Sequence, residues 1–394
     1  MLIKLLILLL FLYIFFADLI IAFTGMTIIK PLLALFIVIF ISISVVGQFD
    51  KFKYKRFVFF AFILLLNSVL SWGEFENVNQ YITVFFGVLL LLDKDFSEKV
   101  LLYVFYIQLV AISYEFLTHN ILYQEVSSGV FNANEFDYTE SIGRFQTSGF
   151  RAKGIFPGTL VATCFIINIA LLYSKNLIIL LLALIMAVMT NGRMAMIITF
   201  IAFFLRFTDN YRILVKHRKL SKKLSYMMVY FPLFLIVGIV AIQLFSPEKV
   251  SHLYELFDFS NSNHIGRIGR YLAGINEFFN NYSLKAQLIG YPGYELYDLY
   301  NRPIPPESEL IGMLLELGLT GFLFYIITII FTWKISYGVK NPISRFRSYR
   351  FVLFWTIICM IQYRHILGNQ RGVLFWFLIF LILDEVKMYK MLKE

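Results

Sequence analysis

Two arginines three residues apart mark the stretch of this chain best suited to chemistry, Ser260-Asn261-Ser262-Asn263-His264-Ile265-Gly266-Arg267-Ile268-Gly269-Arg270-Tyr271. Read as a helix capped by Ser260 or Asn261, it carries Arg267 and Arg270 on one face, shared with Gly274. A guanidinium grips phosphate oxygens with a two-pronged fork, whereas an ammonium acts as a point charge. Two of them aimed at one point match a diphosphate. A solvated helix face with two harmless arginines is the plainer alternative. Ile268, Leu272, Ile275 and Phe279 recur at helical spacing and form an apolar stripe, by which the helix would lie against a membrane-embedded body.

Further cations stand at similar junctions. Arg151 lies in Phe150-Arg151-Ala152-Lys153-Gly154-Ile155-Phe156-Pro157, where Lys153 adds charge and Gly154 allows close approach to the backbone. Arg144 is seven residues upstream; both also suit plain anchoring at a helix end. Thr190-Asn191-Gly192-Arg193-Met194-Ala195 separates two apolar runs with almost no loop. Arg193 then sits near the membrane surface, since an arginine at the bilayer centre costs about 2.5–3.5 kcal/mol on insertion scales.

Carboxylates follow Pro305-Pro306. Glu307 and Glu309 fall near the first turn of the next helix, where the dipole favours them. Glu307 is the first candidate to take a proton from an attacking hydroxyl, with His264 as the second. Glu316, two turns deeper, reads as a satisfied intramembrane acid. Tyr271 and Tyr291, with Tyr282 and other tyrosines nearby, offer rings and hydroxyls suited to sugars, and equally to a membrane interface.

The elements that must position these groups are apolar. Of 394 residues, 59% are hydrophobic, 18% aromatic and only 15% charged, with a mean hydropathy of +0.75. A soluble fold of this size cannot bury so much apolar surface, so a soluble enzyme, a nucleic-acid-binding domain and a disordered chain are excluded. The expected fold is an all-α polytopic membrane protein, one domain over 1–394. It has about twelve spans, near 2–23, 28–46, 57–72, 81–92, 100–118, 156–173, 177–190, 194–206, 226–245, 309–332, 351–363 and 372–384. The apolar N-terminus lacks an A-x-A-like cleavage site and reads as a retained first helix. Cys164 and Cys359 lie within apolar runs and predict no disulfide.

Two excursions, 119–155 and 246–308, leave the bilayer. Basic stretches at 51–56, 206–223, 334–350 and 387–393 all fall on one side of an even helix count, which makes that side cytoplasmic. Both termini are then inside and both excursions outside. On this topology the outer face holds eight arginines and four lysines, and the inner face seven arginines and sixteen lysines. The positive-inside rule explains neither the outer cations nor their bias to arginine. A phosphate ligand on the outer face would, while snorkelling to headgroups accounts for about half of them.

The sequence contains no P-loop, GxGxxG, HExxH or CxxC. In order along the chain, Arg151-x-x-Gly154-x-Phe156, Thr190-Asn191-Gly192-Arg193-Met194-Ala195, Gly266-Arg267 with Arg270-Tyr271, Leu288-Ile289-Gly290-Tyr291-Pro292-Gly293 and Leu314-Leu315-Glu316-Leu317-Gly318-Leu319-Thr320-Gly321 resemble the motifs of the O-antigen ligase/polymerase superfamily. The likeness spans most of the chain and is nearest to Wzy-type polysaccharide polymerases. Gly192 replaces the usual serine of the second motif, and Glu307-Ser308 stands where ligases of the superfamily carry His-Asn.

The resemblance implies a GT-C-like glycosyltransferase whose large extracytoplasmic loop contains short helices. It implies a metal-independent reaction, with no cofactor, on undecaprenyl-pyrophosphate-linked glycans. Arg267, Arg270, Arg151 and Arg193 would hold the donor pyrophosphate. The expected partners are that lipid-linked glycan, the bilayer and a chain-length regulator protein, with no nucleic acid. A ligase transferring finished glycan to a lipid or protein acceptor is the alternative. A flippase is disfavoured, because the charges gather at one face and no internal repeat is visible.

Overall fold

The computed structural model describes residues 2–26, 28–45, 55–72, 78–122, 152–156, 158–173, 176–190, 192–210, 271–291, 308–337 and 369–391. Among them the regular elements are helical, with no strand. In chain order they are α1 (Leu2–Thr24), α2 (Ile29–Val45), α3 (Lys55–Trp72), α4 (Val78–Leu89), α5 (Lys94–Thr118), α6 (Thr159–Leu172) and α7 (Leu177–Met189). Then come α8 (Arg193–Asn210), α9 (271–281), α10 (Leu284–Ile289), α11 (Glu309–Tyr337) and α12 (Asn369–Met391). The expected spans at 226–245 and 351–363 lie outside the described residues.

Three stretches among the described residues, Leu2–Thr24, Tyr81–Thr118 and Glu309–Ile335, are long and apolar enough to cross a membrane. The second is two helices. Asp93, at φ −138° and ψ 80°, breaks the path after a 3₁₀ turn, and its side chain accepts from the Phe96 N–H to cap α5. The sequence reading of two spans, 81–92 and 100–118, corresponds to α4 and α5. The third stretch, read as one helix over 309–332, is also divided. Gly318, at φ 64° and ψ −171°, leaves the helical region. Residues 319–337 alone run about 28 Å, near the thickness of a bilayer core. Residues 309–317 form a separate helical segment before that span.

The chain falls into two compact units, Met1–Phe62 with Asn79–Phe203 and Gly368–Glu394, and Ile63–Val78 with Phe204–Leu367. In the first, α12 is buried on every side from Val373 to Ile382, as suits a helix apolar all round. Close approach to it relies on Gly87 of α4, where an added Cβ would come 2.5 Å from Trp376 Cβ.

The two ends of this unit differ chemically. At one end Lys94 pairs with Glu385 at 3.5 Å, the Tyr173 hydroxyl donates to the Glu98 carbonyl at 2.5 Å, and Lys4 lies over the Phe96 ring. At the opposite end of α5 lie residues 115–122, the segment 152–156 and the turn from α7 to α8. In the second unit, α9 and α10 pack on α11 around Phe278, Tyr282, Ala286, Ile311 and Leu315.

Candidate functional site

Four backbone amides converge on two polar side chains of α5 and fix the segment that follows Arg151. Gln108 and Glu115 are seven residues apart, two turns along one face, and both are fully buried. Glu115 Oε2 accepts from the Lys153 and Gly154 N–H groups at 2.7 Å each, and its Oε1 accepts from Leu122 N–H at 2.9 Å. Gln108 Oε1 accepts from Ile155 N–H at 2.8 Å, and its Nε2 donates to the Lys153 carbonyl at 2.9 Å. A buried amide left without a partner costs about 1–3 kcal/mol, which makes this a strong tie. Phe156 completes it in a three-ring cluster, 6.1 Å from Phe15 and 4.9 Å from Phe165.

Gly154 serves this tie. The sequence predicts close approach to its backbone, and the group that approaches is Gln108. Gly154 has φ +63°, and an added Cβ would sit 2.5 Å from Gln108 Oε1. Lys153 is buried. Arg151 lies just outside the described residues, as does Arg144.

The same end of the unit holds the second arginine motif. Ala152 N–H donates to the Met189 carbonyl at 3.3 Å, so the segment after Arg151 abuts the end of α7. Thr190 Oγ1 bonds the Ala187 carbonyl at 3.0 Å, and Gly192 N–H donates to Ala187 O at 3.1 Å. The turn is therefore as tight as its sequence implied, and Arg193 is the first residue of α8. A Cβ on Gly192 would come 2.7 Å from Thr163 Oγ1, a physical reason for glycine at this position.

In the second unit the expected packing of the arginine-bearing helix is corrected. Leu272, Ile275 and Phe279 do not face α11; they are 60%, 43% and 64% exposed. The docked face is Gly274, Phe278 and Tyr282 instead, because Gly274 has no side chain to hold Ile311 away. His264, Arg267, Arg270 and Glu307 lie outside the described residues. By sequence, Arg270 is four residues before Gly274 and Glu307 four before Ile311, the two positions through which α9 and α11 pack.

The structure brings Tyr271 and Tyr291 together around the same apolar cluster. Tyr291 N–H donates to the Leu315 carbonyl at 2.8 Å, and the Tyr291 ring stands edge-on to Tyr282 at 6.3 Å. The Tyr282 hydroxyl also donates to Leu315 O, at 3.2 Å. These bonds satisfy the carbonyl opened by the break at Gly318. Thr320 Oγ1 reaches back to the Leu288 carbonyl at 2.7 Å. Tyr282 is thus a brace for the helix break, not an open sugar platform.

Burial holds the Tyr282 phenol above its ordinary pKa, reinforced by Glu277 and Glu316. An unfolded tyrosine sheds its proton first, at about pH 10. The Tyr282 contribution to stability is therefore whole below that pH and lost as pH rises beyond it. Tyr282→Phe should lower stability by about 1 kcal/mol and remove this part of the alkaline loss. Thermal unfolding of the detergent-solubilised protein at pH 7 and pH 11 measures both.

Glu309 and Ser308 are buried at the start of α11, with Gly312 N–H donating to the Ser308 carbonyl at 2.9 Å. Glu316 is buried two turns on, beside the break at Gly318. One cation expected on the outer face has a plain explanation: Lys30 pairs with Asp18. Gln108 and Glu115 were passed over in the sequence, although two polar residues seven apart in an apolar helix are a readable signal. Comparison with models of known protein families and with curated proteins finds no match to this chain.

Proposed function

We propose that the chain is a polysaccharide repeat-unit polymerase of the Wzy type, a GT-C-like membrane glycosyltransferase of about twelve spans in the bacterial cytoplasmic membrane. It moves a growing glycan from undecaprenyl pyrophosphate to the terminal sugar of a fresh lipid-linked repeat unit at the outer face. The observation that carries this reading is the bond from Ala152 to Met189, because it joins the two arginine motifs of the first unit. They meet at the end opposite the Lys94–Glu385 pair. The placing of Lys4, Lys94, Tyr173 and Glu385 at a common end supports an even helix count, with termini inside and 119–155 outside.

Arg267 and Arg270 grip the donor diphosphate; Arg151 and Arg193 are the first unit's own diphosphate candidates. As the anomeric C1–O bond breaks, electrons pass to the departing diphosphate, and the guanidiniums hold that charge more tightly than they hold the ground state. The acceptor hydroxyl forms the new bond to C1 and passes its proton to Glu307, with His264 as the alternative base. The packing of α9 on α11 through Gly274 and Ile311, each four residues after Arg270 and Glu307 respectively, supports pairing Arg270 with Glu307 in this chemistry. Glu307-Ser308 in place of His-Asn favours a polymerase over a ligase. A strain lacking the protein should accumulate single lipid-linked repeats. Free lipid-linked polymer in that strain would overturn the polymerase reading in favour of ligation.

A further inference from the structure

The excursion 119–155 has an anchor of its own. One carboxylate, Glu115, accepts from Leu122 where the excursion leaves α5 and from Lys153 and Gly154 where it returns. Gln108, two turns below, holds Lys153 and Ile155 by a donor and an acceptor together. This is a closed set of five hydrogen bonds around two fully buried side chains. A carboxylate suits it for a specific reason. Three N–H donors converge on it, and only a group with two acceptor oxygens and no donor serves them all. Glutamine in its place turns an N–H toward another N–H. The clasp stops at Lys153, two residues after Arg151, and Ala152 between them is held by Met189.

We propose that Glu115 and Gln108 are positioning residues, a clasp that closes the base of the 119–155 excursion and sets the register in which Arg151 meets the donor diphosphate. The second half of this statement rests on the polymerase reading; the first half does not. Opening the clasp frees Lys153 and Gly154, the stretch of chain that follows Arg151 in sequence. Misplacement by about 1 Å is enough to lower a rate about 10²-fold.

The full-length protein in nanodiscs tests both halves, using hydrogen exchange and elongation of the strain's own undecaprenyl-pyrophosphate-linked repeat unit. Glu115→Gln should speed amide exchange by about tenfold or more at Leu122, or at Lys153 and Gly154 where the amide turns its NH2 group toward them. It should slow elongation about as much as Arg151→Ala, and the double variant should be no slower than Arg151→Ala alone. Gln108→Leu, which removes only the Lys153 and Ile155 bonds, should give the same pattern in smaller measure and serves if Glu115→Gln does not fold. Unchanged exchange at both 122 and 153–155 overturns the clasp. Faster exchange with losses that multiply in the double variant overturns the link to Arg151. Full elongation by Arg151→Ala overturns the diphosphate role of Arg151 itself, a failure of the functional reading that exchange at the clasp distinguishes.

Discussion

Arg267→Ala should abolish long glycan chains while single repeat units are still made and exported. The guanidinium is assigned to the leaving diphosphate, so its value lies in the transition state, when negative charge grows on the bridging oxygen. Loss of one such preorganised donor typically costs about 10²–10³ in rate. Polymerisation repeats this step for each added unit, so a deficit of that size removes the long products altogether. Arg267→Lys should fail too. It keeps the charge and loses the fork, and a point charge cannot hold two phosphate oxygens at once. Gel separation of lipid-linked products from cells carrying each variant is the check. Normal chain lengths with Arg267→Ala refute its role, and normal lengths with Arg267→Lys alone show that charge is enough without geometry.

Gly290→Ala should undo the packing of α10 on α11. Gly290 has φ +82°, and an added Cβ would land on the Glu316 carbonyl, with Leu317 N only 2.6 Å away. Everything it meets is backbone, so no side chain can swing aside. Facing it, Gly318 at φ +64° leaves no room for a Cβ either, with Ile289 N at 2.6 Å. The chain relieves the clash only by separating the two segments, and that breaks three hydrogen bonds: Tyr291 to Leu315, Tyr282 to Leu315 and Thr320 to Leu288. At about 0.5–1.5 kcal/mol each, plus about 1–3 kcal/mol of backbone strain, the loss is a large share of the stability of any domain.

Gly25→Ala is the matched control. Gly25 also has positive φ, at +69°, but nothing lies within 4 Å of an added Cβ. Its cost is the backbone term alone, about 1–2 kcal/mol. Thermal unfolding of the two purified variants should separate them clearly, with Gly290→Ala much the less stable. Equal midpoints would mean that the close approach of the glycines is not what holds α10 on α11.

How much of this was legible follows from what each signal depends on. Apolar runs gave α1, α2 and α7 to within a few residues, because a helix that is greasy throughout needs no partner to be recognised. The division at Asp93 was legible as well, since Asp93, Lys94 and Asp95 interrupt the apolar pattern. Gly318 was not. Glycine is tolerated within helices, and only the approach of Gly290 from a distant segment shows why the backbone turns there. The apolar stripe Leu272, Ile275 and Phe279 misled for the same reason. Periodicity finds the most apolar face, whereas contact with α11 went to the face where Gly274 allowed the closest approach.

The candidate site divides along the same line. Arginine pairs and ordered motifs are written in local sequence, so Arg151 and Arg193 could be named, and the bond from Ala152 to Met189 shows their motifs to be neighbours. Apart from the Leu122 amide, the clasp at Gln108 and Glu115 depends on backbone groups 38 or more residues further on. No local pattern announces a hydrogen bond to a main chain that far away.

Reconstituted elongation tests the central claim most directly. The purified protein in proteoliposomes receives the strain's own undecaprenyl-pyrophosphate-linked repeat, presented on the face to which 246–308 is assigned in this proposal. A ladder of longer lipid-linked glycans, released undecaprenyl pyrophosphate in step with each bond formed, and neither product with Arg267→Ala are the expected results. A repeat unit that crosses the bilayer without growing, or a ladder that Arg267→Ala leaves unchanged, would contradict the claim that arginines on the outer face drive departure of the diphosphate.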